Sequence, residues 1–272
     1  MLIDTHCHLN FKAFDGQVDQ IVKRAAGAGI ERIVVPGTDY ETSKKALDIA
    51  CEFKNVYAAV GVHPHHIYSY LTKSNDSSPE EDFAKVVGLI DDPKVVAIGE
   101  VGIDYHMYSN TKYKNYEIEK DFVSLQKAYL KKQIELAIKC EKSLILHNRE
   151  AKSDFLAILD ESWDEYLRGR TVFHCCEPDA ELLEYARERG FYIGVDGDVF
   201  YSREKQEFVK KIPIDMLVLE TDSPYLSPFR KFPNEPKNIA DIVEFIAKLL
   251  NVPIEDLSKA TSKNSMKLFG ML

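Results

Sequence analysis

Eight histidines are the residues in this chain best suited to chemistry, and their placement says more than their number. His6 and His8 stand near the start, followed by His63, His65, His66 and His106, then His147 and His174; none falls in a stretch of helical periodicity. A lone histidine is usually an ordinary hydrogen-bonded residue. Here each one lies at or just past the end of a short apolar run, and scattered core histidines have no reason to share that position. Glu100 and Asp104 follow the fourth run and Asp222 follows the eighth. Imidazoles and carboxylates gathered in this way are the donors from which metal sites are built.

Those runs are the elements that must position the cluster. Strands are expected at Leu2–Asp4, Arg32–Val35, Tyr57–Val60, Val95–Ile98, Leu144–Leu146, Thr171–Phe173, Tyr192–Val195 and Leu217–Leu219. Between them lie segments of helical period, such as Val18-Ile21-Val22-Ala25 and Leu182-Leu183-Tyr185-Ala186. Ser78-Pro79-Glu80-Glu81 has the form of a helix start, with Ser78 as cap and proline in the first position. A long helix is expected from about Glu117 to Cys140, and helices at Ile239–Leu250 and Ile254–Phe269 close the chain.

Eight strands, each followed by a helix, imply parallel pairing through right-handed crossovers. The 272 residues fit one domain, residues 1–272, folded as a (β/α)8 TIM-type barrel of the usual size of about 250 residues. Alternation alone leaves an open doubly wound sheet as the rival. In a barrel the C-terminal strand ends form one face, where the active sites of such barrels lie.

The His6-Cys7-His8 spacing has a direct geometric meaning. Residues two apart on a strand share a face, so both imidazoles can grip one cation while Cys7 points away. His6, His8, Glu100, His147, His174 and Asp222 are too many for one tetrahedral zinc but suit two neighbouring divalent cations. Glu100 is expected to bridge, with His6, His8 and Asp222 completing one site and His147 and His174 the other. Two cations about 3.5–4 Å apart polarise a phosphoryl group and lower the pKa of bound water. Mg²⁺, Mn²⁺ and Zn²⁺ all tolerate such a donor set. Asp222 is expected to serve as ligand and proton acceptor, and Glu220, two residues earlier, either as a partner inside the barrel or in packing or a salt bridge. Arg149, two residues after His147, is placed to hold a phosphate oxygen bidentately.

Six segments resemble, in order, the signature segments of the TatD family of deoxyribonucleases. They are Asp4-Thr5-His6-Cys7-His8-Leu9, Gly61-Val62-His63-Pro64, Gly99-Glu100-Val101-Gly102-Ile103-Asp104, Leu146-His147-Asn148-Arg149, Phe173-His174-Cys175 and Glu220-Thr221-Asp222-Ser223-Pro224-Tyr225-Leu226. The resemblance runs from residue 4 to about Pro236. It implies an amidohydrolase-like barrel, divalent metals and hydrolysis of DNA phosphodiesters, commonly from the 3′ end. It also implies that His63 faces the substrate. The chain departs from the family at Cys176-Glu177-Pro178, where Phe-Ser-Gly is common, and in its short basic segment Pro228-Phe229-Arg230-Lys231-Phe232-Pro233. Both changes touch the rim and bear on substrate range. The alternative is a small-molecule lactonase or amidase on a similar barrel. Enzymes of that kind often bridge their metals with a carboxylated lysine at a strand end, where Glu100 stands here.

Composition bounds the setting. A net charge of −9 argues against coating nucleic acid or membrane by bulk electrostatics, while allowing a local basic rim. No apolar stretch is long enough to span a bilayer, the opening residues do not form a signal peptide, and the five cysteines show no paired spacing. A cytoplasmic protein is the expectation, with single-stranded or frayed DNA as its partner. Tyr105, Tyr108, Tyr113 and Tyr116 alternate with Lys112 and Lys114, a pattern that suits base stacking but is more often packing.

Overall fold

The computed structural model describes residues 1–71, 79–109 and 117–271. Eight parallel strands follow one another in chain order: β1 (Leu2–Asp4), β2 (Ile30–Pro36), β3 (Val56–Val60), β4 (Val95–Asp104), β5 (Ser143–Arg149), β6 (Thr171–Phe173), β7 (Tyr192–Val195) and β8 (Leu217–Leu219). The seam between β1 and β8 decides between barrel and open sheet. Thr5 N–H donates to Leu219 O at 3.1 Å, Asp222 N–H to His6 O at 2.9 Å and His8 N–H to Ser223 O at 2.7 Å. Buried Asp4 reinforces the seam by accepting from the Thr221 N–H at 3.0 Å and the Thr221 hydroxyl at 2.7 Å. The sheet curls into a nearly closed barrel.

Two strands run well past their expected C-terminal ends. β4 continues past Ile98 to Asp104 and β5 past Leu146 to Arg149, paired at their ends through Asp104 and Arg149. Glu100, Asp104, His147 and Arg149 therefore stand on strands rather than after them. Gly102 permits this pairing, because a Cβ there would lie 1.8 Å from the His147 carbonyl.

The helices are α1 (Val18–Gly27), α2 (Tyr40–Glu52), α3 (Pro64–Leu71), α4 (Pro79–Val87), α5 (Lys120–Lys139), α6 (Lys152–Glu161), α7 (Ala180–Arg189), α8 (Arg203–Val209), α9 (Ile239–Leu250) and α10 (Ile254–Leu268). Asp39 caps α2 in a reciprocal capping box with Thr42. His65 and His66 lie in the first turn of α3, so the expectation that no histidine is helical fails there; Pro64 opens that helix instead of ending the strand region. α5 begins at Lys120, after the extended Glu119. Ser78, Lys112, Tyr113, Lys114 and Tyr116 lie outside the described residues.

Strand alternation divides the core. Ile33, Val35, Ala58, Ile98, Leu144 and Leu146 face the helices. Val34, Ala59, Ala97, Ile145, Val172 and Val218 form an inner layer that packs on Leu268, Phe269 and Met271 at the end of the chain. Ile145 shares its parity with His147, Val172 with His174, and Val218 with Glu220 and Asp222. The interior that is apolar at one end of the barrel thus carries the histidines and carboxylates at the other.

Candidate metal centre

Four donors from three parts of the chain meet at the barrel mouth. His6 Nε2 and His8 Nε2 are 3.1 Å apart. Glu100 Oε2 lies 3.5 and 3.6 Å from them, and Asp222 Oδ1 lies 3.8 and 3.5 Å away. Neither carboxylate, when ionised, has a proton to give, and two imidazole nitrogens can share at most one. Four donors about 2.0–2.2 Å from a tetrahedral cation stand about 3.4 Å from one another, which matches these separations. The residues fit a divalent metal.

The other Glu100 oxygen faces a second group. Oε1 lies 3.0 Å from His147 Nδ1, 3.6 Å from His63 Nε2 and 3.8 Å from His174 Nε2. Each predicted ligand is thus brought to the same mouth, together with His63. His174 Nε2 also lies 3.9 Å from Asp222 Oδ1. Its ring stacks on His6 with centroids 3.4 Å apart. Cys7 is buried and belongs to the core outside the interior, as the strand alternation requires.

A layer of polar residues orients the donors. Glu220 Oε1 lies 3.0 Å from His174 Nδ1 and accepts the Cys175 N–H at 2.5 Å. Gly194 leaves room for that carboxylate, since a Cβ there would come within 2.4 Å of it. His8 Nδ1 lies 3.3 Å from Pro36 O. Asp104 Oδ2 is 3.1 Å from His147 Nε2 and from His65 Nε2, and accepts the Tyr108 hydroxyl at 3.0 Å. Asp104 Oδ1 accepts the His106 N–H at 2.8 Å, so one buried side chain both orients an imidazole and anchors a loop. Arg149 is half-buried at the rim, donating to the Tyr108 hydroxyl at 3.1 Å with its guanidinium 5.1 Å from that ring's centroid. His66 and His106 stand apart, paired with Asp39 at 2.9 Å and Glu150 at 2.5 Å.

Burial works against charge on His6, His63, His147 and His174, and close carboxylates overcome it at the last two. His147, between Asp104 and Glu100, is held up at about 10, and His174, beside Glu220, at about 9. His63, farther from Glu100, is pushed down to about 3. His6 falls well below its ordinary value through burial and the neighbouring His174. Burial raises the Cys175 thiol well above its usual range and Cys176 to about 12, so neither is a ready thiolate.

Several supporting residues escape sequence reasoning. Buried Gln126 and Gln133 on α5 each bond both the N–H and the carbonyl of a single residue. Gln126 accepts from Asp104 N–H at 2.8 Å and donates to Asp104 O at 3.1 Å. Gln133 does the same to Val62, at 2.7 and 3.1 Å. Their spacing of seven on one helix face is the one available signal. Lys205 on α8 is buried beside Asp196 and Asp198, at 3.6 and 3.5 Å, and donates to Cys176 O at 3.0 Å. It ties the loop after His174 to the end of β7.

The comparisons with known proteins agree with this geometry. The chain is 36% identical over 273 residues to the metal-dependent hydrolase YabD of Bacillus subtilis, with 99% of each chain covered. It is 29% identical to the 3′–5′ ssDNA/RNA exonuclease TatD of Salmonella typhimurium over 100% of both. The crystal structure of YjjV, a TatD homologue from Escherichia coli, superposes with a TM-score of 0.84 at 28% identity, covering 99% of this chain and 98% of that one. The family model described as TatD related DNase matches residues 3–270. With the barrel, the converging donors and that match taken together, the chain belongs to the TatD-related DNase family of metal-dependent hydrolases.

Proposed function

We propose that this protein is a divalent-metal-dependent hydrolase that cleaves phosphodiester bonds of DNA, working 3′–5′ on single strands or frayed ends. The observation that carries this reading is Glu100, whose two oxygens face two different sets of imidazoles. With Oε2, the side chains of His6, His8 and Asp222 would hold one cation. With Oε1, His147 and His174 would hold the other. Mg²⁺, Mn²⁺ and Zn²⁺ all suit such mixed donors. When bound, the cations polarise the phosphodiester and lower the pKa of water.

The chain's own groups supply the rest. Asp222 is the most open of the four donors of the first set, 15% exposed against 6% or less for the others. Water therefore reaches it, and Asp222 accepts the proton as that water attacks phosphorus, while the P–O ester bond to the departing strand breaks and its oxygen takes up a proton from solvent. His63 and Arg149 hold phosphate oxygens from the substrate side. Glu220 and Asp104 fix the rings of His174 and His147 through their far nitrogens. The substrate class and polarity are those of the Salmonella typhimurium relative, a 3′–5′ exonuclease of single-stranded DNA and RNA. Five free cysteines suit a reducing cytoplasm.

The test is release of nucleotides from end-labelled single-stranded DNA. Protein stripped with chelator is expected to lose activity and regain it with Mg²⁺, Mn²⁺ or Zn²⁺. Full activity in persistent excess chelator, with metal analysis confirming empty protein, overturns the proposal.

A further inference from the structure

A line of aromatic rings leads out of the metal centre. Phe11 stacks on the ligand His8, centroids 4.1 Å apart and planes within 10°. Tyr225 follows at 6.3 Å from Phe11, and Phe232 at 6.3 Å from Tyr225. Tyr225 is 50% exposed and Phe232 69%, although each carries a large apolar face that burial would favour.

The segment that presents these rings is held firmly. Asn234, fully buried, donates its side-chain amide to Thr221 O at 2.9 Å and its N–H to Pro224 O at 2.8 Å. Below it, Gly197 lets the segment approach so closely that a Cβ would lie 2.2 Å from Leu226 O. Asp222, Leu226 and Arg230 all take left-handed backbone angles, φ 50°, 47° and 53°, which residues other than glycine adopt at a cost. The pins offset that cost and fix the segment with Tyr225 and Phe232 on its outer side. Exposed cations stand in the same segment. Arg230 lies 4.5 Å over the Tyr201 ring, and Lys231 is its neighbour, in a chain of net charge −9.

We infer that Tyr225 and Phe232 form a base-stacking ledge for single-stranded DNA, with Arg230 and Lys231 taking the phosphates between the stacked bases. This inference rests on the DNA-hydrolase reading above. Aromatic faces beside cations are the chemistry by which unpaired strands are held without sequence preference. Base faces are accessible only where bases are unpaired, so the ledge selects a single strand over a duplex. Its continuity with His8 leads that strand from the phosphodiester at the metal centre outward along the rim.

The experiment compares binding of two nuclease-resistant phosphorothioate strands of equal length by fluorescence anisotropy, one oligothymidylate and one abasic. They share phosphates and differ in bases. The wild-type holoprotein is expected to prefer the base-bearing strand by about 30-fold or more, from two stacked bases. The Tyr225→Ala/Phe232→Ala variant is expected to bring that ratio within about twofold. Tyr225→Phe keeps the ring face and should keep the preference, and thermal unfolding checks that each variant is folded. Equal binding of both strands by the wild type, or an unchanged preference in the folded double variant, overturns the ledge. So does a solution dimer that the double variant dissolves, since that assigns the rings to a second copy. Hydrolysis of labelled single-stranded DNA by the wild type is scored separately, so failure of the ledge and failure of the hydrolase reading are told apart.

Discussion

Glu100 faces five imidazoles at 3.0–3.8 Å, and few other side chains could serve there. Glutamine in its place keeps the shape and one carbonyl oxygen but removes charge shared by both sets of donors. Glu100→Gln is therefore expected to weaken retention of both cations, whereas His147→Ala weakens chiefly one. Metal content of the two purified variants decides this, and loss of one cation from each would argue against a bridge. Asp222→Asn tests the proton acceptor. On metal-loaded protein it should lower kcat by about 10²–10⁴-fold, and an unchanged kcat would remove the assignment. That these residues converge was legible in the sequence, because each stands in a short segment at a strand end. Gln126, Gln133 and Lys205 were not. Lys205 lies within Arg203-Glu204-Lys205-Gln206-Glu207, which reads as a solvated helix face, and only the fold brings it to two aspartates.

At the level of elements, local chemistry sets boundaries where it is strong and tertiary pairing sets them where it is weak. Alternating runs mark all eight strands, yet β4 and β5 extend because each supplies the other with hydrogen-bond partners beyond Gly99. The start of α2 shows the opposite case. Asp39 accepts the Thr42 N–H at 2.8 Å and pairs with His66 at 2.9 Å, and these contacts hold its carboxyl well below the usual range although burial opposes them. Asp39→Ala should cost about 0.5–2 kcal/mol. Because the folded pKa is depressed, that contribution is full above the unfolded value of about 4 and is lost as pH falls through the folded one. Urea midpoints of wild type and variant should therefore converge from about pH 5 downward. A gap that stayed constant into acid would show that the cap works without its charge.

For the molecule as a whole, the two ends of the barrel have separate tasks. The polar mouth holds the donors, and Leu268, Phe269 and Met271 close the apolar inner layer at the other end. Arg32 donates to Met271 O and Ser143 to Leu268 O, fixing that plug. Phe269, 4% exposed, is expected to cost about 3–5 kcal/mol when truncated to alanine. For a chain of this size that corresponds to a fall in Tm of roughly 6–20 °C. Metal content per folded molecule should stay unchanged, because barrel residues on this face act on stability. A small change in Tm together with metal loss would contradict this division.

The seam between β1 and β8 also sets when the barrel mouth can be completed during synthesis. Thr5 and Leu219, which meet there, are 214 residues apart in the chain. At about 5–20 residues per second, a ribosome needs roughly 10–40 s to travel from His6 to Asp222. Through that interval His6 and His8 have emerged and Asp222 has not, so a nascent chain holds an incomplete donor set. On the function proposed above, hydrolysis is therefore expected only after nearly all of the chain has been translated, and a fragment that ends short of Asp222 lacks one of the four side chains of the first set.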